Sequence, residues 1–366
     1  MLLDLATASP PYKIAQTKAA EELKKRMKGD AALFRLVDIA AKYSGINNRY
    51  IVMPDAEAKT NNAKFYTNDD GNHFNPDTKA RMDMYEEWAI KLTSQAVDKL
   101  LSKSKINPKD INRLITVSCT GFFAPGIDYH LIKKFNLLKN IKRTHIGFMG
   151  CAAALIGVNS VWESLSLQGD TASTTLLVAV EICSLHLQTE ASRDNILANM
   201  IFADGAAAGL FTNKNIVNSR PYLKLVSAQS ILFENSAEFM GWKIGNFGFE
   251  MMLSSELPKI ILDTAVPNVM GMLNKSGVNK NDIKFWALHP GGRAILDSLQ
   301  DGLKLSDEQL QPSREVLRNY GNMSSASILF VLKEILYNSQ LTKNDLCCAI
   351  AFGPGLTMEL VLFKVV

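Results

Sequence analysis

Apolar and polar positions along the 366-residue chain follow two different periods. Short unbroken apolar runs between turn formers, such as Leu176–Val180 and Ala349–Phe352, have the length of strands buried on both faces. Other stretches repeat apolar residues three and four apart. In Lys18–Lys28 this puts Ala19, Leu23 and Met27 on one stripe of a charged helix. The pattern predicts a helix over Arg81–Leu101, a strand over Arg113–Ser118 and a short helix over Tyr129–Phe135. A strand near Arg143–Gly147, a helix over Cys151–Gln168 and a strand over Thr175–Val180 follow. The second half predicts helices over Leu257–Lys275 and Ser324–Tyr337, with strands over Phe285–Leu288 and Cys347–Ala351. Tyr66–Thr78 is polar and rich in turn formers, so it reads as a loop, with Asp69, Asp70 and Gly71 in a turn rather than a calcium loop. Alternating helices and strands imply parallel or mixed sheets covered by helices, an α/β fold.

The same pattern occurs twice. Pro108-Lys-Asp-Ile-Asn-Arg-Leu-Ile-Thr-Val and Lys280-Asn-Asp-Ile-Lys-Phe-Trp-Ala-Leu-His both lead from an Asp-Ile turn into an apolar strand. Asp110 and Asp282 are 172 positions apart, and that shift also carries Phe148-Met-Gly-Cys-Ala-Ala-Ala onto Tyr320-Gly-Asn-Met-Ser-Ser-Ala. The expectation is two pseudo-duplicated halves, residues 1–213 and 214–366, each with its own sheet. The small residues that open both helices suit packing between layers at close approach.

Composition adds mainly exclusions. At 47% hydrophobic and 21% charged, the chain is neither disordered nor fibrous, and it is long enough to bury its core without disulfides. A net charge of +4 spread over this surface gives no reason to expect nucleic acid or a membrane as partner. The N-terminus has no basic segment before an apolar core, and no apolar run approaches the roughly 20 residues that cross a bilayer. Five cysteines without a CxxC pair suit a reducing compartment, and a cytoplasmic location is expected.

Four places could carry chemistry. Cys151 stands where the loop Gly147-Phe-Met-Gly150 turns into an apolar helix, and the free N–H groups of a helix start would lower its thiol pKa. It could hold an acyl group as a thioester; the competing reading is a small buried hydrophobe. His289 ends a strand before Pro290-Gly-Gly, at the edge where α/β proteins bind substrates; otherwise it is a core histidine. Asn322 could donate to an oxyanion or cap the helix that follows. Gly353-Pro-Gly could form a backbone floor beneath a substrate. Phosphate-loop, dinucleotide-loop, HExxH and GxSxG patterns are all missing, which leaves covalent thioester chemistry as the economical reading.

These segments carry a resemblance. Phe148-Met-Gly-Cys-Ala-Ala-Ala, Phe285-Trp-Ala-Leu-His-Pro-Gly-Gly-Arg-Ala-Ile-Leu-Asp, Tyr320-Gly-Asn-Met-Ser-Ser-Ala and Phe352-Gly-Pro-Gly-Leu-Thr resemble chalcone synthase-type (type III) polyketide synthases. So do Ile201-Phe-Ala-Asp-Gly-Ala-Ala-Ala and Cys119-Thr-Gly-Phe-Phe-Ala-Pro-Gly-Ile-Asp-Tyr. The resemblance implies a thiolase-like α/β/α/β/α layered fold, a homodimer, and no cofactor beyond coenzyme A thioester substrates. It implies that Cys151 takes the starter acyl group, with His289 keeping it a thiolate. His289 and Asn322 would then bind the malonyl-CoA carbonyl during decarboxylation. Repeated extension and ring closure would release a pyrone, resorcinol or phloroglucinol. Phe202 matches the family's gatekeeper and Phe249 its partner. Cys119, Cys183 and His186 match cavity-lining positions, Ser324 matches a cavity-floor residue, and Gly353 belongs to the floor turn.

The resemblance implies a bacterial member of the family, and the chain departs from the plant members in three ways. Ala124 replaces a methionine that reaches the neighbouring subunit's cavity. The basic cluster that grips coenzyme A does not align, although Arg35, Lys42 and Arg49 are nearby, so a starter delivered by a carrier protein stays open. The first strand is expected to be short. A single-round ketoacyl-carrier-protein synthase of the same fold is the nearest alternative, and Phe202 and Gly353 favour the iterative family. A thiol acyl hydrolase and a non-catalytic binding relative are further alternatives.

Overall fold

The computed structural model describes residues 1–53, 65–67, 73–104, 106–167, 172–214 and 220–366. Strands β1 (Leu2–Ala8) and β2 (Tyr12–Ala15) lead into helices α1 (Gln16–Arg26) and α2 (Ala31–Tyr43) and strand β3 (Asn48–Ile51). Next come α3 (Thr78–Lys103), β4 (Arg113–Ser118), α4 (Ile127–Lys134), β5 (Lys142–Gly147), α5 (Ala153–Leu167), β6 (Thr174–Ile182), α6 (Arg193–Ile201) and β7 (Asp204–Thr212). The second half runs through β8 (Leu223–Leu232), β9 (Met240–Gly245), β10 (Gly248–Leu253), α7 (Leu257–Lys275), β11 (Ile283–Leu288) and α8 (Arg293–Leu303). It ends with α9 (Asp307–Tyr320), α10 (Ser327–Leu336), β12 (Leu346–Gly353) and β13 (Thr357–Val365).

Among the described residues the main sheet has the order β11-β12-β13-β8-β1-β7-β6-β4-β5. It consists of two related halves. β4 is parallel to β6, which is antiparallel to β7, which is antiparallel to β1. β11, β12, β13 and β8 repeat that order and sense. The first half carries β5 in addition, parallel to β4 on the outer edge. Contrary to the expected separate sheets, the halves touch along β1 and β8, through the single pair Leu2 and Leu223. The duplication therefore holds, with the two half-sheets joined at one point.

Side-chain alternation along these strands builds the layers. Val117, Leu177 and Ala179 of the first half-sheet face inward with Ala287, Cys347 and Ala349 of the second, and α5 and α10 fill the space between them. The intervening residues Leu114, Leu176 and Val178 face α3, whose Tyr85, Leu92 and Leu100 are buried on them. On the other side Trp286, Cys348 and Ile350 face α7, α8 and α9. The result is an α/β/α/β/α stack, and strands covered on both faces account for the unbroken apolar runs.

Most predicted elements are present with boundary shifts. The helix expected to begin at Cys151 begins at Ala153, after a one-turn 3-10 helix over Gly150–Ala152. Likewise a 3-10 turn over Ser324–Ala326 precedes α10. At this point the halves are thus related by 174 positions, not 172, with Gly150 and Ser324 both at positive φ. The first strand is seven residues long and pairs with β7 through most of its length. Part of the Tyr66–Thr78 loop, including Asp69, Asp70 and Gly71, lies outside the described residues, as does Gln168. No described helix is long and apolar enough to cross a membrane.

Candidate active site

Strand ends deliver Cys151 and His289, and the end of helix α9 delivers Asn322. β5 ends at Gly147, and the backbone turns through Phe148 and Gly150, both at positive φ, to present Cys151. The Gly353–Gly355 turn packs against this segment. A Cβ at Gly353 would stand 2.6 Å from the Met149 carbonyl oxygen, and one at Gly150 would collide with the Pro354 ring. Both glycines are required by this close approach. Gly353 thus supports the nucleophile's turn from below, and Phe352 contributes to the cavity wall.

His289 follows β11 directly and is anchored by its N–H to the Ile350 carbonyl at 2.8 Å. The residue is 3% exposed, and both ring nitrogens have no hydrogen-bond partner among the described residues. Two unpaired buried nitrogens are costly in a core. Here they border a cavity of about 370 Å³ that Cys151, Asn322 and Phe202 also line. Burial pushes the imidazole down to about 3, so the ring is neutral at physiological pH.

Asn322 is held on every side. Its N–H donates to the Ile201 carbonyl at 3.0 Å and its carbonyl accepts from the Ala203 N–H at 2.8 Å. Its side-chain oxygen accepts from the Ser324 N–H at 2.8 Å, and Nδ2 donates to the Gly291 carbonyl at 3.2 Å. This is a local turn bond two residues on, rather than the helix cap considered for it. The amide also reaches the Cys151 sulfur and favours its thiolate, as does Ser324, whose hydroxyl lies 3.5 Å from that sulfur.

The thiol departs from expectation. Burial outweighs those hydrogen bonds and pushes Cys151 up to about 11, with buried Glu181 opposing the thiolate as well. The turn that carries Cys151 precedes α5 and is a single 3-10 turn, so a helix start does not dominate here.

Phe202 lies between two spaces. It lines the catalytic cavity and a second cavity of about 110 Å³, which Cys183, His186, Phe249 and Trp242 also border. His186 is fully partnered. Nε2 meets the Thr120 carbonyl at 2.7 Å, Nδ1 accepts from the Phe249 N–H at 2.9 Å, and the ring stacks on Phe249 at 4.2 Å. It therefore builds wall, and burial pushes it down to about 3. Cys119, expected in the lining, is not among the residues bordering either cavity. It sits in the inner core, with its thiol 3.5 Å from the Gly150 carbonyl.

Of the basic residues near the position of the family's coenzyme A cluster, Arg35 and Lys42 are exposed. Arg49 is buried and bonded to protein carbonyls, so it does not hold a coenzyme A phosphate. Arg193 and Arg293, not singled out in the sequence, are exposed at the cavity rim. Glu181 was also missed. Both its oxygens accept from the Cys119 N–H at 3.0–3.1 Å, one accepts from the Thr120 hydroxyl at 2.8 Å, and the other from the Ser325 hydroxyl. Burial pushes it up to about 7. Its signal was a lone acid in the apolar run Thr174–Ile182.

Fold and site together define a thiolase-like condensing enzyme. Residues 224–366 match the family "Chalcone and stilbene synthases, C-terminal domain", and residues 67–232 match "FAE1/Type III polyketide synthase-like protein". A crystal structure of PKS-I from the brown alga Ectocarpus siliculosus superposes with a TM-score of 0.92 at 30% identity, covering 100% of this chain and 98% of that one. Pks18 of Mycobacterium tuberculosis, an alpha-pyrone synthesis polyketide synthase-like protein, is 29% identical over 99% of this chain and 90% of its own. The 1,3,6,8-tetrahydroxynaphthalene synthase of Streptomyces peucetius is 27% identical over 98% and 91%. The chain belongs to the chalcone synthase-like family of type III polyketide synthases, which are acyltransferases.

Proposed function

We propose that the protein loads an acyl starter onto Cys151 and extends it repeatedly with malonyl-CoA before cyclisation. The observation that carries this reading is the buried, unpartnered imidazole of His289, which lines one cavity together with Cys151 and Asn322. An isolated thiolate or imidazolium is penalised there, whereas moving the proton from Cys151 to His289 leaves the pair neutral overall. The thiolate attacks the starter thioester, and coenzyme A leaves with the proton.

Malonyl-CoA then occupies the same cavity. Its carboxylate departs as carbon dioxide, and the electron pair moves onto the thioester oxygen as an enolate. Nδ2 of Asn322 and the protonated nitrogen of neutral His289 donate to that oxygen. The carbanion attacks the acyl carbonyl on Cys151, expels the sulfur, and leaves a chain two carbons longer. Loss of carbon dioxide makes the carbanion, so no general base is needed. Coenzyme A thioesters enter as substrates, and no step calls for another cofactor.

Phe202 would gate passage toward the smaller cavity walled by Cys183, His186 and Phe249. The division at 213/214 is supported by the repeated strand order. A homodimer is supported by the open edge of β5 beside Phe122, Phe148 and Met149, which are 54%, 37% and 44% exposed. The starter arrives as an acyl-CoA or on a carrier protein, and the arginines at the rim suit a phosphate in either form.

Substitution Asn322→Ala separates the two half-reactions. It should lower malonyl-CoA decarboxylation by about 100-fold while Cys151 acylation falls only a few-fold. Equal loss of both steps would contradict the role given to the amide.

A further inference from the structure

The gate Phe202 sits at the end of α6, where the last carbonyls of a helix have no partners within it. Here each one finds a partner. The Ala198 carbonyl accepts from the Phe202 N–H at 3.0 Å, and the Ile201 carbonyl from the Asn322 N–H at 3.0 Å. The other three are served by two buried side chains from the N-terminal segment. Nη1 of Arg49 donates to the Asn199 and Phe202 carbonyls, both at 2.7 Å. Nε2 of Gln16 donates to the Met200 carbonyl at 2.6 Å, and its oxygen accepts from Arg49 Nε at 3.0 Å. A cation also belongs at this negative end of the helix.

Phe202 and Asn322 pair as an isolated parallel bridge, and Arg49 touches the Asn322 side of it as well. Its stem lies over Gly321, where a Cβ would stand 2.8 Å from Arg49 Cγ. Gly321 has φ of 72° and immediately precedes Asn322. One side chain therefore grips the backbone of the gate from one side and presses on the residue before the oxyanion donor from the other. It is 5% exposed, and its Nε and Nη1 are engaged by protein oxygens. Burial pulls the guanidinium down to about 10, eased by nearby Asp204, so it stays charged at neutral pH.

We propose that Arg49, backed by Gln16, is a positioning residue that holds Phe202 and the Asn322 amide in one fixed register against Cys151. This rests on the roles given above to Phe202 and Asn322. Cys151 is presented by a different element, the turn after β5 braced by Gly353. Arg49 should consequently matter for malonyl decarboxylation and chain extension much more than for starter loading.

The test uses purified Arg49→Lys, which keeps the charge but loses the forked reach, and Gln16→Ala, which leaves the cation in place. Acylation of Cys151 by an acyl-CoA is followed by mass spectrometry, and malonyl-CoA decarboxylation by carbon dioxide release. Arg49→Lys should keep acylation within about twofold and lower decarboxylation about tenfold, with products released after fewer extensions. Gln16→Ala should shift the same ratio in the same direction by a smaller factor, and it decides the matter if Arg49→Lys does not fold. A parallel fall in both steps would show a merely structural role, and unchanged ratios in both variants would remove the role altogether. A wild-type enzyme that is acylated yet never consumes malonyl-CoA would overturn the underlying reading and this proposal with it. Wild-type turnover with indifferent variants would overturn only the proposal.

Discussion

Glu181 shows how one side chain can govern the site without entering the cavity. It receives hydrogen bonds from residues 119, 120 and 325, and so ties β6 to the segment behind the nucleophile and to the turn after Asn322. Its folded carboxyl binds its proton up to about pH 7, against 4.5 for an ordinary glutamate. As pH rises from 4.5 to 7 the unfolded chain releases this proton first, so folding loses stability across that window. Glu181→Gln removes the titration. Its thermal midpoint relative to wild type should rise by about 2 °C between pH 5 and pH 8. A difference that stays constant or falls would mean that the carboxylate is ionised at low pH. The same site shows what was legible in single residues. Cys151, His289 and Asn322 were identifiable because each stands at a glycine-marked turn out of or into a regular element. Arg49 was visible only as a basic residue, because its carbonyl partners lie about 150 positions away in the chain.

Among the elements, periodicity found those with one dominant environment, such as α7 at Leu257–Lys275 and β4 at Arg113–Ser118. It passed over β7, whose Asp-Gly-Ala-Ala-Ala-Gly core has weak strand preference. Pairing with β1 and β6 on its two edges imposes the extended form, and small residues fit because both faces are packed. α9 was obscured by its charged sequence and internal Pro312, although Ser306 and Gln309 form a capping box at its start. The turn after β12 carries the sharpest prediction at this scale. Gly353→Ala forces a methyl against the Met149 carbonyl, which should cost about 1–3 kcal/mol in denaturant unfolding and slow Cys151 acylation about tenfold. Wild-type acylation by a destabilised variant would show that the turn does not position the thiol.

At the scale of the molecule, duplication explains why the nucleophile and its partners come from opposite halves. Related turns follow β5 in one half and α9 in the other, each leading into one of the central helices α5 and α10, and they bring Cys151 and Asn322 to one cavity. A sequence shift revealed this symmetry, but not the two-residue slip at the site or the join between β1 and β8. The outer edge of β5, with exposed Phe122 and Phe148 nearby, is the least protected part of the sheet. Light scattering at micromolar concentration should give about twice the 40.4 kDa chain mass, and a monomer would leave this edge unexplained.

The most direct test of the central claim is mass spectrometry of the enzyme and its products after incubation with an acyl-CoA panel and malonyl-CoA. The account predicts an acyl adduct on Cys151 with starter alone, none in Cys151→Ala, and products extended by several two-carbon units with one carbon dioxide lost for each. A product extended only once, or free starter acid formed while malonyl-CoA remains untouched, would contradict it.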